Sequence, residues 1–385
     1  MRVGIVGGGP AGAMLALRLA RGGLRPTLFH DPEAGEKPCG GGITAKAFSE
    51  FPELRELAIP RTRVDRFRVV APSGREASIE REGMFEVFCR ADLDGALRRA
   101  AVEAGARLVP ARVRSVAPGR PGRVEFDGEE SEFDFVVGAD GARSVVGRSV
   151  GAALPNPRLC PSVGILVRGV DPAAGATIRF FRGIRGYLWV FPGPSRASIG
   201  IVARPGDAPA SALRARVEEF RSRVLPNTEV VGSYGWMIPA PGPDGRPPVP
   251  VSGEGYALLG DAAGLVDPIT GEGIYWAFLS AALLARAVLE GRPEHYREGV
   301  EEGIMPDLRP AGVWAERSFR AWVLEAVLVA AARSRRVRGL IADLASGEQR
   351  YATLPDRIRR RRVGRLLTPL LRVAFGGREI TSARR

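Results

Sequence analysis

Glycines near the start of the chain have the spacing of a phosphate-binding loop. The loop comprises Gly7, Gly8, Gly9, Pro10, Ala11 and Gly12, which read G-x-G-x-x-G. The apolar segment 2–6 precedes it, and a helical apolar pattern over 11–22 follows it. In such a loop the first glycine allows a tight turn, the second admits a pyrophosphate, and the third lets helix and strand pack closely. The helix N-terminus then faces the phosphates, so these residues predict a nucleotide site on a βαβ unit.

A polar residue roughly 20 positions further on should bind the ribose hydroxyls of such a nucleotide. The second predicted strand, 26–30, ends in His30, and Asp31 follows it. The acid is thus displaced by one position from its usual place. Two alternatives stay open: His30 donates to the ribose, or the Asp31 carboxylate reaches it.

Two later strands also end in an aspartate beside glycine. The apolar segment 133–138 leads into Gly138-Ala139-Asp140-Gly141, and the segment 256–259 leads into Gly260-Asp261. The loop 267–273, which reads DPITGEG, then precedes a predicted helix from Ile274. An Asp-Gly pair alone is an ordinary turn signal, so it is the order of these motifs along the chain that indicates a nucleotide site.

Taken in order, the three motifs resemble the FAD-binding fold of para-hydroxybenzoate hydroxylase and its relatives. The resemblance covers roughly the first 290 residues. It implies that Asp261 binds a ribityl hydroxyl and that the helix from Ile274 directs its positive end at the flavin pyrimidine. It also places Arg90 beside the ribityl chain or phosphate, and the backbone near Val113 against the adenine.

Two further segments indicate which kind of flavoprotein this is. Residues 37–42 read K-P-C-G-G-G, and residues 186–192 read G-Y-L-W-V-F-P. They resemble the K-P-C-G loop and the Y-x-W-x-F-P motif of geranylgeranyl reductases, although Ile184 stands where that family often has proline. In that family the loop lies against the isoalloxazine ring, and the aromatic strand lines a cavity for a prenyl chain.

Alternate residues of a strand share one face, so Tyr187, Trp189 and Phe191 are expected to form a broad apolar wall. The alternative is that they belong to ordinary sheet core. The implied reaction saturates isolated C=C bonds with a hydride from reduced FAD, and it also needs an acid. Cys39 is the one acid that the loop offers, so it is the predicted catalytic residue; alternatively it only shapes the pocket.

These interpretations give one set of predicted site residues. The cofactor set is Gly7, Gly9, Ala11, Gly12, His30, Asp31, Cys39, Gly40, Gly42, Arg90, Val113, Asp140, Asp261, Gly271, Gly273 and Ile274. The substrate set is Tyr187, Trp189 and Phe191. No second G-x-G-x-x-G is present for a reductant, so NAD(P)H and ferredoxin both stay open as the electron donor. The substrate is a prenylated glycerophospholipid, a prenyl diphosphate or a prenyl quinone.

The predicted fold class is α/β, with a Rossmann-like lobe of the glutathione-reductase type, a sheet-rich lobe and a helical end. The FAD lobe takes residues 1–62, 88–155 and 245–290. The substrate lobe takes 63–87 and 156–244, and the stretch 239–250, with six prolines, connects the lobes. Residues 291–385 form the helical, basic C-terminal segment.

Composition excludes several other classes. Three distant cysteines and two histidines predict neither a metal site nor a disulfide framework. No apolar run reaches the ~18 residues of a membrane span, and 321–332 is short, so a cytoplasmic protein is expected. Two alternative enzymes have the same fold. One is an aromatic monooxygenase. The other is a relative of electron-transfer flavoprotein–quinone oxidoreductase, which would carry a cysteine cluster that this sequence lacks.

The net charge of +13 is carried almost entirely by arginine and indicates anionic partners. A nucleic-acid-binding protein would place aromatic residues among its basic ones, but the C-terminal basic run has none before Phe375. Instead, arginines and leucines over 357–376 predict short amphipathic helices that lie peripherally on the inner face of the membrane. The alternative is that these leucines pack on the FAD lobe.

Overall fold

The computed structural model describes residues 1–37, 39–240, 242 and 244–360, without the side chains of 359 and 360. Its strands, in chain order, are β1 (Val3–Val6), β2 (Thr27–Phe29), β3 (Gly42–Thr44), β4 (Thr62–Val70), β5 (Glu76–Val87), β6 (Arg107–Val109), β7 (Val113–Ala117), β8 (Gly122–Phe126), β9 (Glu129–Phe133), β10 (Phe135–Gly138), β11 (Leu159–Arg168), β12 (Ala176–Phe181), β13 (Ile184–Pro192), β14 (Ala197–Ala203), β15 (Glu229–Pro239), β16 (Ser252–Gly253) and β17 (Tyr256–Leu258).

The α-helices are α1 (Pro10–Arg21), α2 (Ala45–Glu50), α3 (Glu53–Glu56), α4 (Arg90–Glu103), α5 (Val145–Ser149), α6 (Ala210–Val224), α7 (Ile274–Leu289), α8 (Tyr296–Gly303), α9 (Met305–Ser318), α10 (Ala321–Arg333), α11 (Arg335–Ala345) and α12 (Leu354–Arg360). Short 3₁₀ turns at Gly260–Ala263 and Tyr351–Thr353 matter for the site.

A six-stranded sheet carries the nucleotide motifs. Its order is β16-β17-β10-β1-β2-β6, and β1 runs parallel to both β10 and β2. The carboxyl ends of β1, β10 and β17 therefore lie at one edge of the sheet, which is where parallel α/β sheets bind ligands. This arrangement confirms the predicted α/β fold class with a Rossmann-like part.

An eight-stranded sheet forms the second part of the fold. Its order is β15-β11-β14-β13-β12-β4-β5-β3, antiparallel except for the β4–β12 pair. The aromatic strand β13 lies in its middle, paired with β12 and β14. A three-stranded sheet of β7, β8 and β9 completes the strands of the described ranges.

Two segments differ from the expectation because tertiary pairing outweighs local pattern. The Gly-rich sequence of 35–45 predicts a loop throughout, but Gly42–Thr44 is strand β3, paired antiparallel with β5. The sequence of 107–116 predicts one continuous strand, but it divides into β6 and β7. Pro110, which has no N–H to donate, lies between them, and the two halves join different sheets.

The C-terminal helices cover the eight-stranded sheet. Buried Leu328 and Ala331 of α10 pack in one cluster with Phe67 and Ile79 of β4 and β5. This surface holds α10 and α11 in place, so the helical end of the chain is part of the protein core. Within the described ranges, no helix combines the length and apolar character needed to cross a bilayer.

Only the first residues of the predicted membrane segment 357–376 are described. Arg357 donates to the Gln349 side chain at 2.8 Å and also to the Asp343 carboxylate, and Ile358 packs against the protein core. These two residues therefore face the protein. Residues 361–376 of the segment, with the rest of the predicted amphipathic helices, lie outside the described residues.

The hydroxyl of Tyr296 anchors the strand that precedes Asp261. This fully buried side chain donates a hydrogen bond of 2.9 Å to the Leu258 carbonyl at the end of β17. Tyr296→Phe is expected to lower the free energy of unfolding by about 1–3 kcal/mol, because a buried acceptor loses this donor. Urea unfolding followed by circular dichroism measures the change.

Tyr256→Phe is the matched control for this variant. Tyr256 is half-buried on the same strand, and its hydroxyl makes no hydrogen bond within the described ranges. It should change stability by less than about 0.5 kcal/mol. Equal losses in the two variants would show that the bond to Leu258 contributes nothing specific.

Candidate functional site

One continuous cavity of about 1180 Å³ connects the nucleotide loop to the C-terminal helices. It passes the ends of β1, β10 and β17, the loop 39–42 and strand β13. Of all the predicted cofactor and substrate residues, Gly12 alone does not line it. The fold thus brings together residues from distant parts of the chain that were selected on separate motifs.

The three glycines of the first motif have different surroundings. A Cβ on Gly7, where φ is +107°, would lie 2.4 Å from the Ala139 carbonyl oxygen. A Cβ on Gly12 would lie 1.9 Å from the Gly7 carbonyl oxygen. At Gly9 no described atom lies within 4 Å of that position, and φ is an ordinary −77°. The protein itself requires glycine at 7 and 12, whereas the space at Gly9 opens on the cavity.

The N-terminus of α1 fits a bound phosphate. The helix has 12 residues and starts at Pro10, and no described side chain caps it. Its first-turn N–H groups are therefore available to a ligand. Together with the open space at Gly9, this cradle fits the pyrophosphate of FAD.

The two ribose candidates both line the cavity. Burial and the nearby Arg98 guanidinium lower the pKa of His30, which favours the neutral imidazole. The Asp31 carboxylate accepts from the Glu33 N–H at 2.9 Å and lies 3.7 Å from the Arg112 guanidinium. Either side chain is placed to meet a ribose, so both predictions remain.

A basic residue on α4 was missed by the sequence analysis. The Arg98 guanidinium donates to the Gly8 carbonyl at 2.9 Å and lines the cavity at its nucleotide end. It can therefore offer positive charge to a pyrophosphate. No motif relates α4 to the glycine loop, so only the tertiary fold identifies this residue.

Arg90 lies beside Cys39, at the start of α4. Its side chain is 3% exposed and pairs with Asp94 at 2.9 Å. Burial opposes the positive charge, but the Asp94 carboxylate and the Cys39 sulfur outweigh it and raise the pKa of Arg90. A permanent cation thus lines the cavity next to residues 37–42, the predicted flavin loop. Its contact with the ribityl chain or phosphate stays a prediction.

Asp140 uses its carboxylate to organise its own loop. It accepts from the Ser144 hydroxyl at 2.5 Å and from the Val145 N–H at 2.6 Å. Burial nonetheless raises the pKa of Asp140. The residue lines the cavity, and a direct contact with the cofactor stays a prediction.

An ion pair joins the flavin loop to the third motif. The Lys37 ammonium lies 2.6 Å from the Asp261 carboxylate, whose side chain is 12% exposed.

The loop before helix α7 is held by Asp267. Its carboxylate accepts from the N–H groups of Ile269 and Thr270 at 2.7 and 3.0 Å. Helix α7 then starts at Ile274, and no described side chain caps its N-terminus. Its positive end opens on the cavity and suits an anionic flavin ring.

The aromatic strand forms one wall of the cavity. Tyr187 and Trp189 contact each other with ring centroids 6.2 Å apart, and Phe191 packs 5.4 Å from Phe85. The Trp189 indole donates to the Ser198 hydroxyl at 3.1 Å, and the Tyr187 hydroxyl donates to a carbonyl of the loop before α7. Both polar tips are satisfied, so the rings present apolar surface to the cavity.

A second apolar wall of the cavity was not predicted. Helices α10 and α11 contribute apolar side chains to the same cavity, namely Val323, Leu324, Val327, Leu328, Ile341 and Leu344. The sequence signal for this wall is the apolar stretch 321–332, which is too short to span a membrane. Its apolar face covers the cavity.

Glu272 and Lys46 are two further residues that the motifs did not identify. The Thr44 hydroxyl donates to the Glu272 carboxyl at 3.0 Å, and burial, followed by the charge of Asp267, raises the pKa of Glu272 to about 7. The Lys46 ammonium lies 4.1 Å from the Tyr275 ring centroid, and burial lowers the pKa of Lys46. Both line the cavity. Among the described residues, no group of three or more His, Cys, Asp or Glu could hold a metal.

Gly9→Ala and Gly12→Ala separate cofactor binding from packing. Gly12→Ala places a methyl group against a backbone oxygen, so it should lower the free energy of unfolding by about 1–3 kcal/mol or more, even without cofactor. Gly9→Ala should leave the unfolding of the cofactor-free protein unchanged but weaken FAD binding, because the methyl group occupies only ligand space. Thermal unfolding and flavin absorbance measure the two effects. A Gly9→Ala protein with full flavin content would remove this loop from the cofactor site.

The chain is similar in sequence to known prenyl reductases. A digeranylgeranylglycerophospholipid reductase of Methanopyrus kandleri is 33% identical over 310 residues, which cover 75% of this chain and 80% of that protein. A geranylgeranyl diphosphate reductase of Rhodobacter capsulatus is 32% identical over 304 residues, or 74% of each chain. No protein-family model matches the chain.

A crystal structure shows the same fold. A geranylgeranyl bacteriochlorophyll reductase-like protein from Thermoplasma acidophilum covers 96% of this chain and 98% of its own, with a TM-score of 0.78 and 22% identity. The relatives in sequence are reductases, which favours this interpretation over the aromatic monooxygenase. The chain belongs to the geranylgeranyl reductase family of FAD-dependent oxidoreductases.

Proposed function

We propose that this protein saturates isolated C=C bonds of a geranylgeranyl chain carried by a polar or anionic head, in lipid biosynthesis. The observation that supports the proposal most is the shape of the cavity. A nucleotide cradle at one end continues into a compartment lined by the aromatic strand and by the apolar faces of α10 and α11. A long, flexible isoprenoid chain is the ligand that such a compartment suits.

FAD, when bound and reduced, supplies the hydride for this chemistry. The protein holds the cofactor through the glycine loops and the uncapped ends of α1 and α7. The apolar walls orient the chain and exclude water from the reacting bond. An isolated alkene is not polarised by a carbonyl, so the cavity must also supply a proton.

Cys39 is the residue in the flavin loop that we propose to act next to the reacting bond. Its sulfur accepts the Gly41 N–H at 3.3 Å and lies beside the Arg90 guanidinium. Two roles fit this position, as a proton donor or as a side chain that shapes the loop. The reductant is NAD(P)H or ferredoxin, and anaerobic mixing of the holoenzyme with each one distinguishes them.

Photoreduced holoenzyme provides the direct test. Anaerobic mixing with digeranylgeranyl glycerophospholipid or geranylgeranyl diphosphate should reoxidise the flavin, and the lipid should gain two hydrogens for each double bond. Absorbance follows the flavin, and mass spectrometry follows the lipid. A flavin that no prenyl compound reoxidises, but that reacts with oxygen and a phenol to give a hydroxylated product, would contradict the proposal.

Val327→Trp tests the wall formed by α10. The larger side chain should narrow the prenyl compartment and raise the substrate concentration for half-maximal reoxidation about tenfold or more, because overfilling costs ~1–3 kcal/mol. FAD content should not change. Ala332→Trp adds the same side chain at an exposed position of the same helix and should behave as the wild type. Equal behaviour of the two variants would place the prenyl chain elsewhere.

A prenyl lipid must be taken from a bilayer, and we propose that the arginine-rich stretch 359–376 supports peripheral membrane binding. Each arginine near an anionic surface adds about 1 kcal/mol. The full chain should sediment with anionic vesicles at low salt, and truncation after Arg360 should abolish this while sparing the described helices. Binding that survives the truncation would assign the membrane contact to another surface.

A further inference from the structure

We propose that the carboxyl of Glu272 is the acid that protonates the alkene carbon opposite to the one that receives the hydride, an assignment that rests on the proposed function. Glu272 lies in the loop 267–273 of the third motif, but it is not among the residues that the motifs assign to the site. It is the second residue before helix α7, and it lines the cavity.

The hydrogen bonding of Glu272 suits a neutral carboxyl. The Thr44 hydroxyl donates to its Oε1 atom at 3.0 Å, at the end of the strand that follows the flavin loop. A neutral carboxyl accepts through its carbonyl oxygen and donates through its hydroxyl. With Oε1 held by Thr44, the proton on Oε2 is available to a group in the cavity.

Glu272 and Cys39 both line the cavity, and both are near enough to Tyr187 to affect its hydroxyl. Burial raises the pKa of the Tyr187 hydroxyl, and the acidic groups of Asp267, Cys39 and Glu272 raise it further. Tyr187 is also the first aromatic residue of the prenyl wall. The carboxyl is therefore close to the apolar surface along which the chain would lie.

The acidity of Glu272 supports the assignment. Burial and the charge of Asp267 raise its pKa to about 7, against the opposing effects of the Thr44 hydrogen bond and the Lys46 ammonium. A general acid works best when its pKa is near the operating pH. The titratable groups that face Glu272 are Lys46, Asp267, Tyr187, Tyr275 and Tyr351. Burial raises the pKa of each tyrosine, so these phenols stay protonated as Glu272 titrates.

The step balances in atoms and electrons. One alkene carbon gains a hydride, which brings two electrons from the reduced cofactor. The π electrons of the alkene form a C–H bond to the Glu272 proton at the other carbon, and Glu272 is left as a carboxylate. Water restores its proton when the saturated chain leaves, and the external reductant restores the cofactor.

This assignment leaves Cys39 as the residue that shapes the flavin loop. Its sulfur accepts a backbone N–H within that loop and packs against the hydrophobic core. The two roles predict different pH profiles. If a group donates the proton, the reaction rate falls as the pH rises through the pKa of that group, and replacing the group removes this fall. Replacing a residue that only shapes the loop changes the rate by the same factor at every pH.

Glu272→Gln is the decisive variant, because the amide keeps an oxygen for Thr44 but has no acidic proton. Reoxidation of the photoreduced holoenzyme by prenyl substrate should slow about 10²–10⁴-fold. The wild-type rate should fall as the pH rises through about 7, and the variant should lose this fall. Cys39→Ala should be slower than the wild type but keep the fall.

Glu50→Gln is the matched control. Glu50 is the last residue of helix α2 and does not line the cavity. Its carboxyl accepts a hydrogen bond of 2.7 Å from the Tyr275 hydroxyl. This variant should keep both the rate and the pH profile. If Glu272→Gln fails to bind FAD, Thr44→Val serves instead: it removes a bond that lowers the pKa of Glu272, so the fall in rate should move to higher pH.

Infrared difference spectroscopy of the oxidised holoenzyme tests the carboxyl without any turnover. The wild type should show a protonated carboxyl that titrates near pH 7, and Glu272→Gln should lack it. A wild-type enzyme that no prenyl lipid reoxidises contradicts the proposed function itself. Two other results would overturn only the assignment of Glu272, provided that the wild type turns over. One is a Glu272→Gln variant that is as fast as the wild type. The other is a loss of the pH dependence in Cys39→Ala alone.

Discussion

Contact between the Phe191 ring and the backbone of the flavin loop joins the two halves of the cavity. A Cβ on Gly40 would lie 2.3 Å from this ring, and one on Gly42 would lie 3.2 Å from it. Only a loop without side chains at these positions lets the aromatic strand come so close. If the cavity holds FAD and a prenyl chain as proposed, the two ligands meet at this contact, where a hydride has to pass between them.

Water exclusion has two consequences at this junction. The apolar walls protect the reacting bond, and the same burial makes charge on nearby carboxyls unfavourable. Asp140 and Asp267 offset this by accepting backbone and hydroxyl hydrogen bonds. Within the described residues Glu272 accepts one such bond, from Thr44, and its pKa rises to about 7. The burial that suits an isoprenoid thus also produces a carboxyl that holds a proton near neutral pH.

Residues that act within one motif could be predicted from the sequence, because their relation is local. The spacing of Gly7 and Gly12 encodes the tight turn and helix packing, and the alternation in 187–191 encodes a shared face. Arg98 and Glu272 could not be predicted, because their neighbours come from elements about 90 and 230 positions away in the chain. For the stretch 321–332 the apolar pattern indicates a buried helix face but not the surface that covers it.

The two ends of the cavity differ in what substitutions they tolerate. At the nucleotide end the backbone itself forms the contacts, so an added methyl group meets a carbonyl oxygen or the ligand. On α10 and α11 the wall consists of apolar side chains, and cores tolerate exchanges among these when volume and pattern are kept. On the proposed function, substitutions at residues such as Val327 and Leu328 would alter the prenyl compartment while the cofactor site is retained. The choice among prenyl substrates would then be encoded in the C-terminal helices rather than in the nucleotide lobe.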